Sequence, residues 1–212
     1  MKKRILMMIM AASLLMGCSS GTEQGNTSDT QNGNAAGQVQ ENTAGDSREQ
    51  GKEEPYIVTF EAGTIDGQSY SSEQFADSKI TMLNVWATYC NPCLAEMPDL
   101  GDIAESYDKA DFQLIGIISD VMENSPQEDI QNAKDLIRQT EADYPHLLLN
   151  QSVFDNLVGG VSSVPTTFFV NSKGEMLGYV VGANDEDTWE QIIDELLVKE
   201  GVPVEDDEDR DD

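Results

Sequence analysis

Ile80-Thr81-Met82-Leu83-Asn84-Val85-Trp86-Ala87-Thr88-Tyr89-Cys90-Asn91-Pro92-Cys93 is a mostly apolar run that ends in two thiols with two residues between them. The run from Ile80 to Trp86 suits a short central strand covered on both faces. From Pro92 to about Tyr107, Leu94, Met97, Leu100, Ile103 and Ala104 recur at helical spacing, and Pro98 is expected to kink that helix. A strand giving way to a helix at this point places Cys90 at the helix N-cap. Unpaired backbone N–H groups and the positive end of the macrodipole favour a thiolate there. A thiolate is the nucleophile of disulfide exchange, and Cys93, one turn further on, can resolve the mixed disulfide. Pro92 fits the first helical turn, where its missing N–H costs nothing. Asn91 lies between the thiols, where side chains tune the reduction potential, so the potential stays open.

Outward from this stretch, strands and helices alternate. Tyr56 to Ala62 alternates apolar and polar residues as a strand, with a turn at Asp66-Gly67 and a short partner strand after it. Phe112 to Ile118 reads as another buried strand. Ser125 is expected as an N-cap with Pro126 at the first helical position, opening a helix to about Thr140. His146 to Leu149 reads as a short strand and Ser152 to Leu157 as a short helix. Thr166–Val170 and Glu175–Val181 pair as a hairpin, and a last helix runs from about Asp185 to Lys199 with Trp189, Ile192, Ile193, Leu196 and Leu197 on its apolar face. The pattern implies an α/β sandwich with a central mixed β-sheet flanked by helices.

The ends of the chain differ in kind from residues 55–201, which form one domain of ordinary size. Residues 1–17 read as a signal peptide, with basic Lys2-Lys3-Arg4 followed by an apolar run too short to span a bilayer comfortably. Leu15-Met16-Gly17-Cys18 resembles the bacterial lipobox, in which the cysteine is lipidated and becomes the mature N-terminus. Residues 18–54 are Gly, Asn, Gln, Ser, Thr and acid rich and read as a disordered tether. A tether of some thirty-five residues has a typical reach of roughly 30–35 Å. Residues 202–212 form an acidic, solvated tail.

The net charge of -28 argues against nucleic acid and against electrostatic attachment to an anionic membrane, so membrane contact is expected through lipid on Cys18. The expected location is the outer face of the bacterial cytoplasmic membrane. Only two of the three cysteines lie in the domain, too few for a disulfide-stapled secreted fold. With His146 as the one histidine, the ligands for a zinc site are also too few. Redox chemistry remains, with no metal and no cofactor beyond the Cys90–Cys93 pair.

Trp86-Ala87-Thr88-Tyr89-Cys90-Asn91-Pro92-Cys93, with Pro98 behind it and Val164-Pro165-Thr166-Thr167-Phe168 far downstream, resembles the thioredoxin superfamily. Within it the chain resembles the TlpA/ResA-type extracytoplasmic reductases, on three further features: the tether, an N-terminal hairpin, and a helix–strand insertion over residues 126–149. The resemblance implies Cys90 as the attacking and Cys93 as the resolving thiol. It also implies a cis-proline loop at Pro165, against the cysteines, with the Val164 backbone open to an incoming chain. Glu96 completes the CxxCxxE spacing of that branch. An aspartate serves as proton relay in cytoplasmic thioredoxins where this chain has Asn84. Glu96 is therefore expected to take the Cys93 proton, its pKa raised by partial burial; the competing reading is an exposed first-turn glutamate that only complements the dipole.

Trp86 and Tyr89 are expected to cover the site and form part of the docking surface, with pure packing as the other role for Trp86. His146 reads as structural or surface.

The function expected from these features is a monomeric, membrane-tethered reductase of disulfides in exported proteins, re-reduced by a membrane electron donor of the CcdA/DsbD type. Two alternatives remain in view. A peroxiredoxin-like antioxidant enzyme would need Pro and Thr where Leu83 and Ala87 stand. A Sco-like copper-binding assembly protein would need CxxxC and a distal His in the family's loop.

Overall fold

The computed structural model describes residues 54–203. The expected leader, Cys18, nearly all of the tether and most of the acidic tail lie outside the described residues. The central sheet has five strands: β3 (Ile80–Trp86), β4 (Phe112–Met122), β5 (His146–Leu149), β6 (Thr166–Asn171) and β7 (Met176–Val181). Their order is β5-β4-β3-β6-β7, parallel from β5 through β3 and antiparallel from β3 through β7. β1 (Glu61–Gly63) and β2 (Ser69–Ser71) form the separate N-terminal hairpin. The helices are α1 (Asn91–Ser106), α2 (Gln127–Gln139), α3 (Gln151–Asn156) and α4 (Glu186–Lys199).

Every residue of β3 is buried, because elements cover both sides of the sheet. The pleat sends Ile80, Met82 and Trp86 into the core beneath α1 and α4, which also holds Met97, Leu100, Ile103, Trp189 and Ile193. Leu83 and Val85 face the other way, into the core beneath the hairpin and α3 with Phe60, Phe75 and Val153. Asn84 shares the α1 side with Met82 and Trp86, which aims an amide at the active-site helix. Val202 packs against the α4 side of the core.

Three expectations are corrected. The ladder expected over Tyr56–Ala62 is confined to Glu61–Gly63, with one isolated bridge from Ile57 to Glu175. β4 continues past Ile118 to Met122 through an irregular register against β5. Pro126 is the N-cap of α2 and not its first helical residue: its ψ of 145° is extended, and the Ser125 hydroxyl instead accepts from the Met122 N–H at 2.9 Å.

Two glycines leave room for close neighbours, one a backbone and one a side chain. A Cβ on Gly101 of α1 would lie 2.6 Å from the Glu141 carbonyl oxygen, in the turn where Glu141 takes φ of 53°. A Cβ on Gly116 of β4 would run into the imidazole of His146.

Candidate active site

Asn91–Ser106 begins at the carboxyl end of β3, and Cys90 is its N-cap with φ −88° and ψ 94°. Cys90 and Cys93 are joined in a disulfide with Cα atoms 5.3 Å apart. The Cys93 N–H donates to Cys90 Sγ at 3.2 Å, so the first turn of the helix points a backbone donor at that sulfur. Cys90 is 6% exposed and Cys93 not at all, which makes Cys90 the sulfur an incoming disulfide can reach. Tyr89, Asn91 and Pro92 surround it on the surface.

The loop between Trp86 and Cys90 is held from β4. The Ser119 hydroxyl donates to the Trp86 carbonyl at 2.9 Å. The Thr88 N–H donates to both Asp120 carboxylate oxygens at 3.0 and 3.1 Å, and its hydroxyl donates to Oδ2 at 2.5 Å. On the other side, Thr166 of β6 pairs with Val85, so Pro165 lies at the same end of the sheet as Cys90. Pro165 is buried behind a cis Val164–Pro165 peptide bond, and its carbonyl accepts from the Gly182 N–H at 2.9 Å.

Glu96 is only 3% exposed, which excludes the reading as a solvent-facing first-turn residue. It stands three residues after Cys93 on the inward face of α1. The Asn84 amide donates to Glu96 Oε1 at 3.0 Å and also to Thr167 Oγ1 at 3.0 Å. The Asn184 N–H, just before α4, donates to Oε2 at 3.2 Å. The Trp189 indole N–H faces the same carboxylate without a hydrogen bond of normal geometry. Burial pushes the Glu96 pKa up to about 7; the Asn84 and Asn184 donors pull it down and Asp99 adds to the rise. A group poised there can take a proton from a thiol and return it near neutral pH.

Trp86 does not belong to the docking surface. It is fully buried, and its indole N–H donates to His146 Nδ1 at 3.1 Å. His146 is likewise interior, 2% exposed, with Nε2 3.1 Å from the Ala142 carbonyl. Accepting from Trp86 at Nδ1 assigns the proton to Nε2, and burial holds the imidazole pKa down at about 4. The ring lies tilted by 33° against Tyr144 at 4.4 Å and meets Trp86 edge-on at 5.6 Å. Among the described residues no group of three or more His, Cys, Asp and Glu side chains could hold a metal ion.

Sequence reasoning did not find Ser119, Asp120, Asn184 or Trp189 as parts of this site. Only strand order and helix packing bring them to it, and no local motif marks them.

The AhpC/TSA family profile matches residues 56–177. Among curated relatives, the thioredoxin-like protein YneN of Bacillus subtilis is 28% identical over 146 residues, covering 69% of this chain and 79% of its own. The thiol-disulfide oxidoreductase ResA of Bacillus thuringiensis is 24% identical over 148 residues, covering 70% and 79%. The crystal structure of the pneumococcal exposed lipoprotein thioredoxin Etrx1 from Streptococcus pneumoniae superimposes with a TM-score of 0.53 at 25% identity, over 65% of this chain and 99% of that one.

Proposed function

The chain belongs to the AhpC/TSA family and is a thiol-disulfide oxidoreductase of the ResA/DsbE type, and from that premise we propose that it reduces disulfides of exported proteins while tethered to a membrane. The carrying observation is the difference between the two sulfurs: Cys90 on a helix N-cap keeps 6% of its surface exposed, whereas Cys93 is fully buried on the turn that also bears Glu96.

In the reduced enzyme the Cys90 thiolate attacks one client sulfur. A Cys90–client S–S bond forms, the client's own S–S bond breaks, and its second sulfur leaves as a thiolate that takes up a proton. Glu96 accepts the Cys93 proton, and the Cys93 thiolate attacks Cys90 Sγ. The Cys90–Cys93 bond forms as the mixed disulfide breaks, and the client departs with both sulfurs reduced. Two electrons have moved from the enzyme dithiol to the client. A membrane donor of the CcdA/DsbD type restores the dithiol. Val164 and Pro165, at the Cys90 end of the sheet, and Tyr89, Asn91 and Pro92, next to Cys90 in the chain, make the rim that receives the client.

The export signal over residues 1–17, lipid on Cys18 and the polar segment to residue 54 give a monomer held at the outer face of the cytoplasmic membrane. The pneumococcal relative, described as an exposed lipoprotein thioredoxin, supports that reading. The family's name raises the peroxidase alternative. Leu83 and Ala87 stand in the positions that would need Pro and Thr, both fully buried, and neither offers a hydroxyl to peroxide. The copper alternative loses its imidazole, because both His146 nitrogens are engaged in the core.

The test is the reduction potential of the Cys90–Cys93 couple in the purified protein, with mass spectrometry of the native N-terminus. A potential near roughly -270 mV and a lipid on Cys18 are expected; a value near roughly -120 mV would make the protein an oxidant.

A further inference from the structure

Glu96 is met by N–H donors. The Asn84 amide reaches Oε1 at 3.0 Å, the Asn184 N–H reaches Oε2 at 3.2 Å, and the Trp189 indole N–H faces the same carboxylate. Donors suit the ionised form. Once Glu96 has taken the Cys93 proton, its new O–H needs an acceptor, and a buried donor left without one is costly. A backbone N–H and an indole N–H can only donate. Of these three neighbours, the Asn84 side chain alone also carries an acceptor.

Asn84 is fully buried on β3 and pairs with Thr167 of β6 across the sheet. Its Nδ2 donates both to Glu96 Oε1 and to Thr167 Oγ1, each at 3.0 Å, whereas Oδ1 has no hydrogen-bond partner among the described residues. The two ends of a carboxamide are nearly alike in shape, and half a turn about χ2 exchanges them in place. Both partners of Nδ2 can follow that exchange: the Thr167 hydroxyl donates as well as accepts, and Glu96 donates once it is an acid. Either orientation of the amide therefore makes the same two contacts.

We propose that Asn84 is the positioning residue of the resolving step, offering Nδ2 to the Glu96 carboxylate and, turned over, Oδ1 to the Glu96 acid. The inference deepens the reading of the protein as a disulfide reductase and rests on it. The proton leaves Cys93 Sγ and arrives on Glu96 Oε1, and Asn84 then turns so that Oδ1 accepts from the Glu96 O–H and the Thr167 O–H. The redox electrons stay with the sulfurs throughout. The titratable groups facing Glu96 are Cys93 and Asp99 on α1 and Tyr144 ahead of β5, with Glu186 of α4 beyond Asp99; β3 and β6 present Asn84 and Thr167, which do not titrate. The Tyr144 hydroxyl is buried without a hydrogen-bond partner among the described residues, which makes it the competing acceptor.

The test takes two readouts from the full chain. In the disulfide form, the two Asn84 side-chain amide protons are followed by NMR from about pH 5 to about pH 9, assigned by through-bond correlation. Both are expected to move upfield together as pH falls through about 7, because the turn withdraws Nδ2 from Thr167 as well as from Glu96. Movement of the Glu96-facing proton alone means that the amide does not turn, and overturns the proposal. In single-turnover release of a client from its mixed disulfide, Asn84→Leu is expected to move the pH inflection up by about one unit, since a hydrogen bond to the charged form outweighs one to the neutral form. Tyr144→Phe is expected to leave it near 7. An inflection that Asn84→Leu leaves in place, even with slower release, makes Asn84 structural; one moved by Tyr144→Phe instead gives the acceptor role to Tyr144. Either result overturns the proposal. If Asn84→Leu does not fold, the wild-type spectrum decides alone. No turnover of any disulfide by wild type removes the reductase reading, and the role assigned within it, whatever the amide protons do.

Discussion

Glu96 and His146 are buried titratable groups on either side of the Trp86 region, and they respond to pH in opposite senses. Glu96 titrates at about 7 in the fold against an ordinary 4.5, so the folded state holds this proton more tightly than the unfolded chain. Its stabilising contribution is full below 4.5 and is lost as pH rises through 7, about 3 kcal/mol in all. His146 titrates at about 4 against 6.5, so the fold favours the neutral ring that accepts from Trp86. Its contribution is full above 6.5 and is lost as pH falls through 4, by a similar amount of about 3 kcal/mol. Across pH 4.5–6.5 the two slopes offset each other. Urea unfolding should show Glu96→Gln losing stability toward acid more steeply than wild type, and His146→Gln losing it toward alkali. Parallel curves for all three proteins would refute these assignments. In the proposed resolving step the same carboxylate must be ionised to accept the Cys93 proton, so single-turnover client release should rise through about pH 7. Glu96→Gln should remove that inflection and leave the first attack by Cys90 in place. Glu96 was legible from its spacing to Cys93. The Asn84 donor that holds it was not, because an amide six residues before Cys90 registers in the sequence only as a group unable to titrate.

The elements that carry the site were legible where the local signal was strong. Strand β3, helix α1 with Cys90 at its cap, and the β6–β7 hairpin follow from apolar runs, spacing and turn residues, and they place Cys90 and Pro165 at one sheet end. Strand β4 was read short because Ser119 and Asp120 break its apolar run. The strand continues past them because those side chains bond to the active-site loop. Of the two roles expected for Trp86, docking surface and packing, the structure shows packing. An aromatic just before a reactive pair suggests a surface lid, and nothing local reveals that an imidazole sixty residues on will receive its N–H. That pairing depends on Gly116, the β4 residue opposite His146, where any side chain would displace the imidazole. Gly116→Ala combines overpacking with the loss of a buried hydrogen bond and should cost about 2–4 kcal/mol. Equilibrium unfolding followed by tryptophan fluorescence measures this; a loss below about 0.5 kcal/mol would mean the ring shifts freely and the Trp86–His146 bond is not maintained.

At the scale of the whole chain the dominant property is charge: 40 acidic against 12 basic residues. Part of that field lies close to the site. Asp99 and Asp102 of α1 face Glu186, Asp187 and Glu190 of α4, and the Glu186 pKa is raised, by desolvation first and then by these four other carboxylates. Asn184, two residues before Glu186, donates its N–H to Glu96. A negative field here repels an anionic membrane surface as well, and the proposed attachment through lipid on Cys18 is compatible with that repulsion. It also sorts substrates by charge before any contact forms. Cystamine carries two ammonium groups, whereas oxidised glutathione is anionic. At about 0.01 M salt, where the screening length is about 30 Å, the rate ratio of cystamine to oxidised glutathione should be largest. It should fall steadily as salt approaches about 1 M, where screening acts within about 3 Å, because the first rate drops while the second rises. Stopped-flow oxidation of the reduced protein reads both rates. A ratio indifferent to salt would place the acidic field away from Cys90. A salt-dependent ratio makes charge the first selection, acting before the Cys90–Cys93 chemistry that both substrates share.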